Sequence, residues 1–475
     1  MSTSRRAFMK LAAAGAAGMA LAEALPTSAQ ALNAGKSPKG SIAVRVTSGT
    51  KRYAQEAPLR WQPSRSGLAG TIAIDPAKSY QDVLGFGAAF TDAACYNFNQ
   101  LTPDSREQLL HEFFSPSEMN LSVCRTCIGA SDYATKAYSY SEVGPDPELK
   151  NFSIDHDKEY ILPSMRLARK INPDLFLLGS PWSPPAWMKT SNSMLGGTLR
   201  KTYYGPYAQY FVNYLKAYEA EGVVINAVSS QNEVDTDQDA RMPACLFGQE
   251  YEIEFISRHL GPAFEANGLK TKIWIIDHNY NLWGRAICEL DDPGTNKYVD
   301  GVAWHGYAGS PEMMTRVHDA HPNKHAYWTE GGPDYTDPNY LTDWTKWSEQ
   351  YTGILRNWSR CIIGWNLALD EVGKPNIGPF PCGGVVTINS QTKEITRSGQ
   401  YWAFAHYSKA VRRGARRIDS KGTVANVSHV AFVNPDGANV AVLTNTGADT
   451  KVRLQMAGMM AEVALPEKSV ATLTW

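Results

Sequence analysis

The chain has 475 residues, 43% of them hydrophobic and 20% charged, with a formal net charge of -1. That length supports one large globular domain plus a smaller one. The near-neutral balance gives no electrostatic basis for binding nucleic acid or an anionic membrane. Thirteen Trp and 23 Tyr suit a protein that handles flat, weakly polar ligands such as sugars, although aromatics equally fill cores.

Residues 1–31 read as a targeting segment rather than as fold. A charged head, "SRRAFMK" (Ser4 to Lys10), precedes an Ala/Gly-rich apolar run, and "AQA" ends at Ala31 like a small-residue cleavage site. Adjacent Arg5 and Arg6, followed by Phe8 and Lys10, resemble a bacterial twin-arginine signal, which implies export to the periplasm or the medium. A plain secretory signal is the alternative. The apolar run falls short of the ~20 residues a membrane span needs, and no later segment qualifies, so no integral membrane segment is expected.

A β-prone patch at 41–80 comes next, containing "SIAVRVTSGT" and "GTIAIDP". From about Val83 to residue 382 short apolar runs alternate with segments of helical periodicity. The apolar runs are "VLGFGAAF", "LSVCRTCIG", "FLLGSPWS", "VINAVSSQNE", "KIWIIDHN", "GVAWHGY", "HAYWTEGG" and "CIIGWNLAL". Between them lie stretches such as "PDSREQLLHEFF" and "PYAQYFVNYLKAYEAEG". Strands alternating with helices predict parallel βα units, and eight units over this length predict an α/β fold, a closed (β/α)8 barrel. From residue 383 to 475 the pattern returns to strands, interrupted by one helical stretch near "QYWAFAHYSKAV"; Asp436-Gly437 marks a hairpin turn. This tail, completed by the strands at 41–80, predicts a small antiparallel β-sandwich.

Chemistry in such a barrel collects where the strands end. Those ends carry Asp132, Trp182, Asn232-Glu233, Asp277-His278, His305 and Tyr307, Glu330, and Trp365-Asn366 in turn. Glu233 and Glu330, on the fourth and seventh strands, should face one another across the barrel mouth. Glycosidic hydrolysis needs such a pair, one acid for the leaving oxygen and one carboxylate for the anomeric carbon. Asn232 is placed to bind a sugar 2-hydroxyl, with Trp182 and Trp365 as platforms for its C–H face. Two carboxylates this close should also push the pKa of the acid upward.

"GFGAAFTDAA", "RTCIGASDY", "SPWSPPAWMKT", "QNE", "WHGY", "TEGG" and "WNLAL" resemble, in order, the markers of glycoside hydrolase family 30, the glucosylceramidase-like enzymes. The resemblance runs through the tail "FVNPDGANVAVLTN" as well. It implies a retaining β-glycosidase with no cofactor, built as a barrel with a side β-sandwich. By motif, Glu233 takes the acid/base place and Glu330 the nucleophile's, with Asp132, Trp182, Asn232, Tyr307 and Trp365 lining the sugar subsite. Two positions depart from the family's habit: Val234 follows Glu233 where proline is frequent, and Ala88 stands where glycine is common.

The expected substrate is a β-linked oligo- or polysaccharide or a glycolipid: a β-glucoside first, with glucosylceramide and β-1,6-glucan both in range, and a β-xyloside or β-fucoside as the alternative. The loops that would read the leaving group show no strongly apolar face in the sequence. His305 reads equally as a carboxylate-orienting residue or a core histidine. Two other classes compete: a metal-dependent hydrolase using Asp277, His278 and His305, and a non-catalytic carbohydrate-binding protein. No metal site is expected. Cys124 and Cys127 form a C-x-x-C inside a strand, where positions three apart face opposite ways, so they read as buried thiols. Asp92 reads as a helix N-terminal residue.

Overall fold

The computed structural model describes residue 38, residues 40–64 and residues 68–475; the targeting segment expected at 1–31 lies outside them. All eight expected barrel strands form: β1 (Gly85–Phe90), β2 (Val123–Cys127), β3 (Phe176–Ser180), β4 (Ala227–Ser229), β5 (Lys272–Asn279), β6 (Val299–His305), β7 (His325–Glu330) and β8 (Ser359–Asn366). They close into one parallel barrel in sequence order, β8 pairing back to β1.

Helices alternate with the strands, and their boundaries follow local chemistry. Thr102 ends an extended residue run and accepts from the Ser105 amide, Pro103 opens the first turn, and the helix then runs to Phe114. Asp92 opens the helix Asp92–Asn99 behind the Thr91 cap. Its buried carboxylate accepts from Tyr160 Oη (2.8 Å) and from the Thr135 amide (2.6 Å), a structural duty that leaves it away from the barrel mouth.

The barrel interior is layered by the two-residue period of the strands. Val123, Leu178, Ala227, Trp274, Ala303, Tyr327 and Cys361 fill one apolar layer, with Trp274 and Tyr327 stacked at 3.7 Å. This layer plugs the barrel below the site. Cys124 and Cys127 belong to different clusters, Cys124 among the residues between barrel and helices and Cys127 beside Trp182 and Trp365. Among the described residues all seven cysteines are free.

The strands Ser41–Ser48, Lys51–Gln55, Leu59–Arg60, Gln62–Pro63 and Thr71–Asp82 join six C-terminal strands, from Arg416–Lys421 to Ser469–Thr474, in one eleven-stranded sheet. Its pairs are antiparallel except where Thr71–Asp82 meets Thr450–Met456. Asp436-Gly437 turns the hairpin between Val427–Val433 and Asn439–Asn445, with Gly437 at φ +88°. The first C-terminal strand of this sheet starts at Arg416, later than the expected boundary at residue 383. The intervening helix Gly399–Ser408 packs on the barrel instead, Gln400 Nε2 donating to the Gly331 carbonyl at 2.9 Å.

Candidate active site

Two residues along from the apolar layer, the same strands turn inward Arg125, Ser180, Ser229, His305 and Thr329, so alternation alone converts an oily plug into a polar floor. Asp277 joins them by a different device. Strand β5 slips register against β6 between Ile276 and His278, and Ile276 and Asp277 take φ of +71° and +45°. A β-branched residue at positive φ is strained, and strain of this kind persists only where surrounding contacts fix it. The bulge swings Asp277 inward and frees His278 to point toward β4. A second slip, between β6 and β7, sets Glu330 opposite His305 and lets Glu330 follow Thr329 into the mouth.

Arg125 organises the floor. It is fully buried; Nε donates to Ser180 Oγ (3.0 Å), Nη2 to Asn232 Oδ1 (2.7 Å) and Asp277 Oδ2 (2.7 Å), and Nη1 to Glu330 Oε2. Asp277 also accepts from Ser229 (2.6 Å), Ser180 (2.9 Å) and Thr329 (2.7 Å), and lies 3.1 Å from His305 Nε2. Burial alone would raise the Asp277 carboxyl; the Arg125 charge and these donors hold it well below the usual range. Sequence reasoning passed over Arg125 although it stands in "RTCIGASDY". Its inward place two residues beyond Val123 was the signal that could have found it.

Glu330 and Glu233 do converge, and they have different company. Glu330 takes Arg125 on one oxygen and the Tyr307 hydroxyl (3.0 Å) on the other. Glu233 sits at φ +53°, its amide donating to the Asp277 carbonyl (3.0 Å). Its Oε1 lies 3.1 Å from His278 Nε2, and Oε2 accepts from Gln238 Nε2 (2.7 Å). His305 Nδ1 stands between the two carboxylates, 3.4 Å from Glu233 Oε1 and 3.8 Å from Glu330 Oε1. His305 therefore is a carboxylate partner, and its pKa is raised: burial pulls it down, but Glu330, Asp277 and Glu233 more than offset that.

The expected upward shift of Glu233 is reversed in the free protein. Burial does raise its carboxyl, yet the His278 imidazole against it, backed by His305, brings it below the ordinary range. The sequence reading placed two carboxylates together and allowed His305 beside them, but it did not bring His278 to Glu233.

Asp132 is buried beside this pair, and burial, then the charges of Glu330 and Glu233, push its carboxyl well up. Trp182 and Trp365 stack on each other at 5.0 Å and 21°, with the Arg125 guanidinium 4.6 Å from the Trp182 ring. Both indoles are 2% exposed, so little of either ring is open as a platform. Tyr307 is the exposed aromatic of the mouth, at 53%. Asn232 Oδ1 accepts from Arg125, which leaves its Nδ2 as the donor end of the side chain.

The trio of the competing metal-dependent reading does not converge on one point: Asp277 faces Arg125, whereas the adjacent His278 faces Glu233 and Asp235. The donors that do approach one another are Glu233, His278 and His305, within 4.8 Å. Among the described residues no helix is long and apolar enough to cross a membrane.

A parallel eight-stranded barrel whose mouth holds two unlike carboxylates, an arginine anchor and indole walls defines a class of enzyme, the barrel glycoside hydrolases. The chain belongs to glycoside hydrolase family 30: the Glycosyl hydrolase family 30 TIM-barrel domain matches residues 83–411 and the Glycosyl hydrolase family 30 beta sandwich domain residues 414–473. It is 33% identical over 395 residues to the endo-1,6-beta-D-glucanase of Neurospora crassa, covering 79% of this chain and 81% of that one. It is 28% identical over 411 residues to the lysosomal acid glucosylceramidase of Mus musculus, covering 82% and 79%. Among solved structures, the endo-beta1,6-glucanase BT3312 superposes with a TM-score of 0.84 at 32% identity, over 92% of this chain and all of that one. The chain is thus a β-glycosidase of this family.

Proposed function

We propose that the protein is a retaining hydrolase of β-1,6-linked glucosides, with Glu330 as nucleophile and Glu233 as acid/base. The observation that carries the roles is the difference in company. Glu330 is held by a permanently charged guanidinium and a phenol, which suits a carboxylate that must stay ionised to attack. Glu233 rests on imidazoles, groups that exchange protons. Asp132, with its raised pKa, donates a hydrogen bond to a hydroxyl of the bound sugar, and Asn232 Nδ2 donates to the 2-hydroxyl.

In the first step Glu330 attacks the anomeric carbon while Glu233 protonates the departing oxygen; in the second, Glu233 takes a proton from the water that displaces Glu330. The carboxyl groups of a retaining enzyme stand ~5–5.5 Å apart. Both carboxylates reach one His305 nitrogen within 4 Å, a closeness that accommodates that spacing.

The β-1,6-glucan reading draws on the endo-1,6-glucanases among the relatives and on a solved one matched along its whole length. Glucosylceramide is the second reading, favoured by one observation on the wider set of loops around the mouth. Val143, Leu246, Tyr307, Leu341, Val372 and Phe380, all on loops that follow barrel strands, are large apolar side chains left exposed.

The deciding experiment combines Glu330→Ala and Glu233→Ala with a substrate panel. Glu330→Ala should be nearly inactive and give an α-glycosyl azide when azide is added. Glu233→Ala should keep cleaving aryl glucosides with good leaving groups, for which acid assistance matters least. Exchanged phenotypes would reverse the roles. On the panel (aryl β-glucoside, xyloside, fucoside and galactoside, a β-1,6-glucan and glucosylceramide), hydrolysis of the glucan but not the lipid supports the first reading. The opposite result supports the second. Export by the twin-arginine route is part of the proposal, supported by Arg5 and Arg6 in the sequence. Replacing both by Lys should leave the precursor in the cytoplasm, and normal export would contradict it.

A further inference from the structure

His278 has no place in the two-carboxylate mechanism, yet it is the nearest titratable side chain to Glu233. The β5 bulge aims it there. Its Nδ1 contacts an Asp235 oxygen, and its Nε2 lies 3.1 Å from Glu233 Oε1. That same Nε2 is 3.0 Å from Asn279 Nδ2. The Asn279 amide cannot turn over to relieve the approach, because its Oδ1 accepts from the Tyr307 and Ala308 amides (2.9 and 3.1 Å).

Asp235 favours the imidazolium, whereas the Asn279 donor opposes a proton on Nε2 and favours leaving it on Glu233. The two influences pull one proton in opposite directions along a single short contact. We propose that His278 and Asp235 form a proton station for Glu233: the proton given to the departing oxygen is held between His278 Nε2 and Glu233 Oε1.

This rests on Glu233 being the acid/base. The balance closes without another reagent. In the first step the pair loses its proton to the glycosidic oxygen as the C1–O bond breaks and a Glu330 oxygen bonds to C1. In the second, water adds to C1, Glu330 leaves, and the water's proton returns to the pair. The other groups facing the pair are few. Gln238 donates to the second Glu233 oxygen, and the His305 ring meets His278 edge-on at 5.5 Å. The Asp132 carboxyl and the Tyr307 phenol also lie in the field of the Glu233 charge, the Glu233 amide donates to the Asp277 carbonyl, and Glu330 and Asp277 both contact His305.

The consequence is a pH limb. A lone glutamic acid loses its proton at ~4.3, whereas the His278 imidazolium is pushed up to about 10, against burial and chiefly by the Glu233 charge. The pair therefore keeps its one transferable proton into alkaline solution.

The test is the pH profile of kcat/KM on an alkyl β-glucoside, whose poor leaving group demands acid assistance. His278→Asn should move the alkaline limb down by at least one pH unit and leave the acid limb in place; Asp235→Asn should move it the same way. If His278→Asn does not fold, as judged by circular dichroism, Asp235→Asn decides. Glu233→Gln separates the two levels of the argument. If that variant retains the alkaline limb, the role of Glu233 is wrong. If it loses the limb while the limbs of His278→Asn and Asp235→Asn stay where the wild type has its own, only the proton station is overturned.

Discussion

Arg125 Nη2 and Asp277 Oδ2 stand 2.7 Å apart with both side chains completely buried, and the same guanidinium holds Glu330 and Asn232. A charge taken this far from water is tolerable only with its hydrogen bonds filled, and here Ser180, Ser229, Thr329 and His305 complete the set on the Asp277 side. Arg125→Ala should cost about 3–5 kcal/mol, the usual loss when one member of a buried pair is removed. Arg125→Lys keeps the charge but has no planar fork to reach four acceptors at once. It should fold, with a smaller drop in Tm, yet lose at least tenfold in kcat. Thermal unfolding and steady-state kinetics on both variants check this; unchanged kcat in Arg125→Lys would contradict the anchoring role.

Asp132 offers a test of its protonation. Because burial and two neighbouring carboxylates push its carboxyl well up, it should work as a neutral donor. Asp132→Asn would then mimic it and lose less than tenfold in kcat/KM, whereas Asp132→Ala should lose about a hundredfold or more by leaving a buried sugar hydroxyl unpaired. Equal, large losses in both variants would mean that an ionised Asp132 is required.

How much of this was legible beforehand follows from what each signal depends on. Strand existence, the two-residue alternation and the hairpin at Asp436-Gly437 are local, and the eight strands formed where the apolar runs lay. Glu330 was open to a sequence reading because it ends a strand, and Glu233 and Asp132 because they lie four and five residues beyond one. Arg125 was not singled out because a charged residue inside an apolar strand has meaning only when seven other strands surround it. The shift of Glu233 was misjudged for a related reason: His278 reaches it through a bulge, with Ile276 and Asp277 at positive φ, and nothing in "KIWIIDHN" announces an extra residue. The stacking of Trp182 on Trp365, from opposite sides of the chain's fold, was likewise beyond any local pattern.

The joint between barrel and sandwich carries a pH dependence. His406, on the helix Gly399–Ser408, is buried between Thr472 and Thr47, each 2.8 Å from a ring nitrogen. Thr472 Oγ1 already donates to the His406 carbonyl (2.8 Å), so it accepts from Nδ1–H, and Thr47 donates to a bare Nε2. This arrangement fits the neutral ring, and burial lowers its pKa to about 3. The unfolded chain, titrating near ~6.5, binds the proton first as pH falls. The stabilising contribution is therefore complete above ~6.5 and declines by about 1.4 kcal/mol per pH unit down to about 3. Denaturant unfolding at pH 6.5 and 5.0 should show about 2 kcal/mol of extra acid sensitivity in the wild type relative to His406→Gln. Parallel pH dependence in the two proteins would remove His406 as the cause.

Gly378 tests how closely the loop after β8 is fitted to the sugar pocket. A Cβ on Gly378 would meet Asp132 Cβ at 2.5 Å, and the backbone is held on both sides of the contact. The Ile377 amide donates to the Asp132 carbonyl at 2.8 Å, and the Gly378 amide to Asn376 Oδ1 at 2.6 Å. Neither Asp132 Cβ nor the loop is a flexible side-chain end that could swing aside, so one of them must move. The loop lies at the surface of the barrel mouth, away from the apolar plug, and its displacement should cost little stability, within about 1 kcal/mol. In its proposed role the Asp132 carboxyl, by contrast, must meet a hydroxyl within hydrogen-bond reach, and a shift of a few tenths of an ångström weakens that bond in ground and transition state alike. Gly378→Ala should accordingly raise KM severalfold, change kcat less, and leave Tm nearly in place. A lowered Tm with unchanged KM would place the strain in the fold rather than the pocket, and Asp132 would then not be the residue this loop positions.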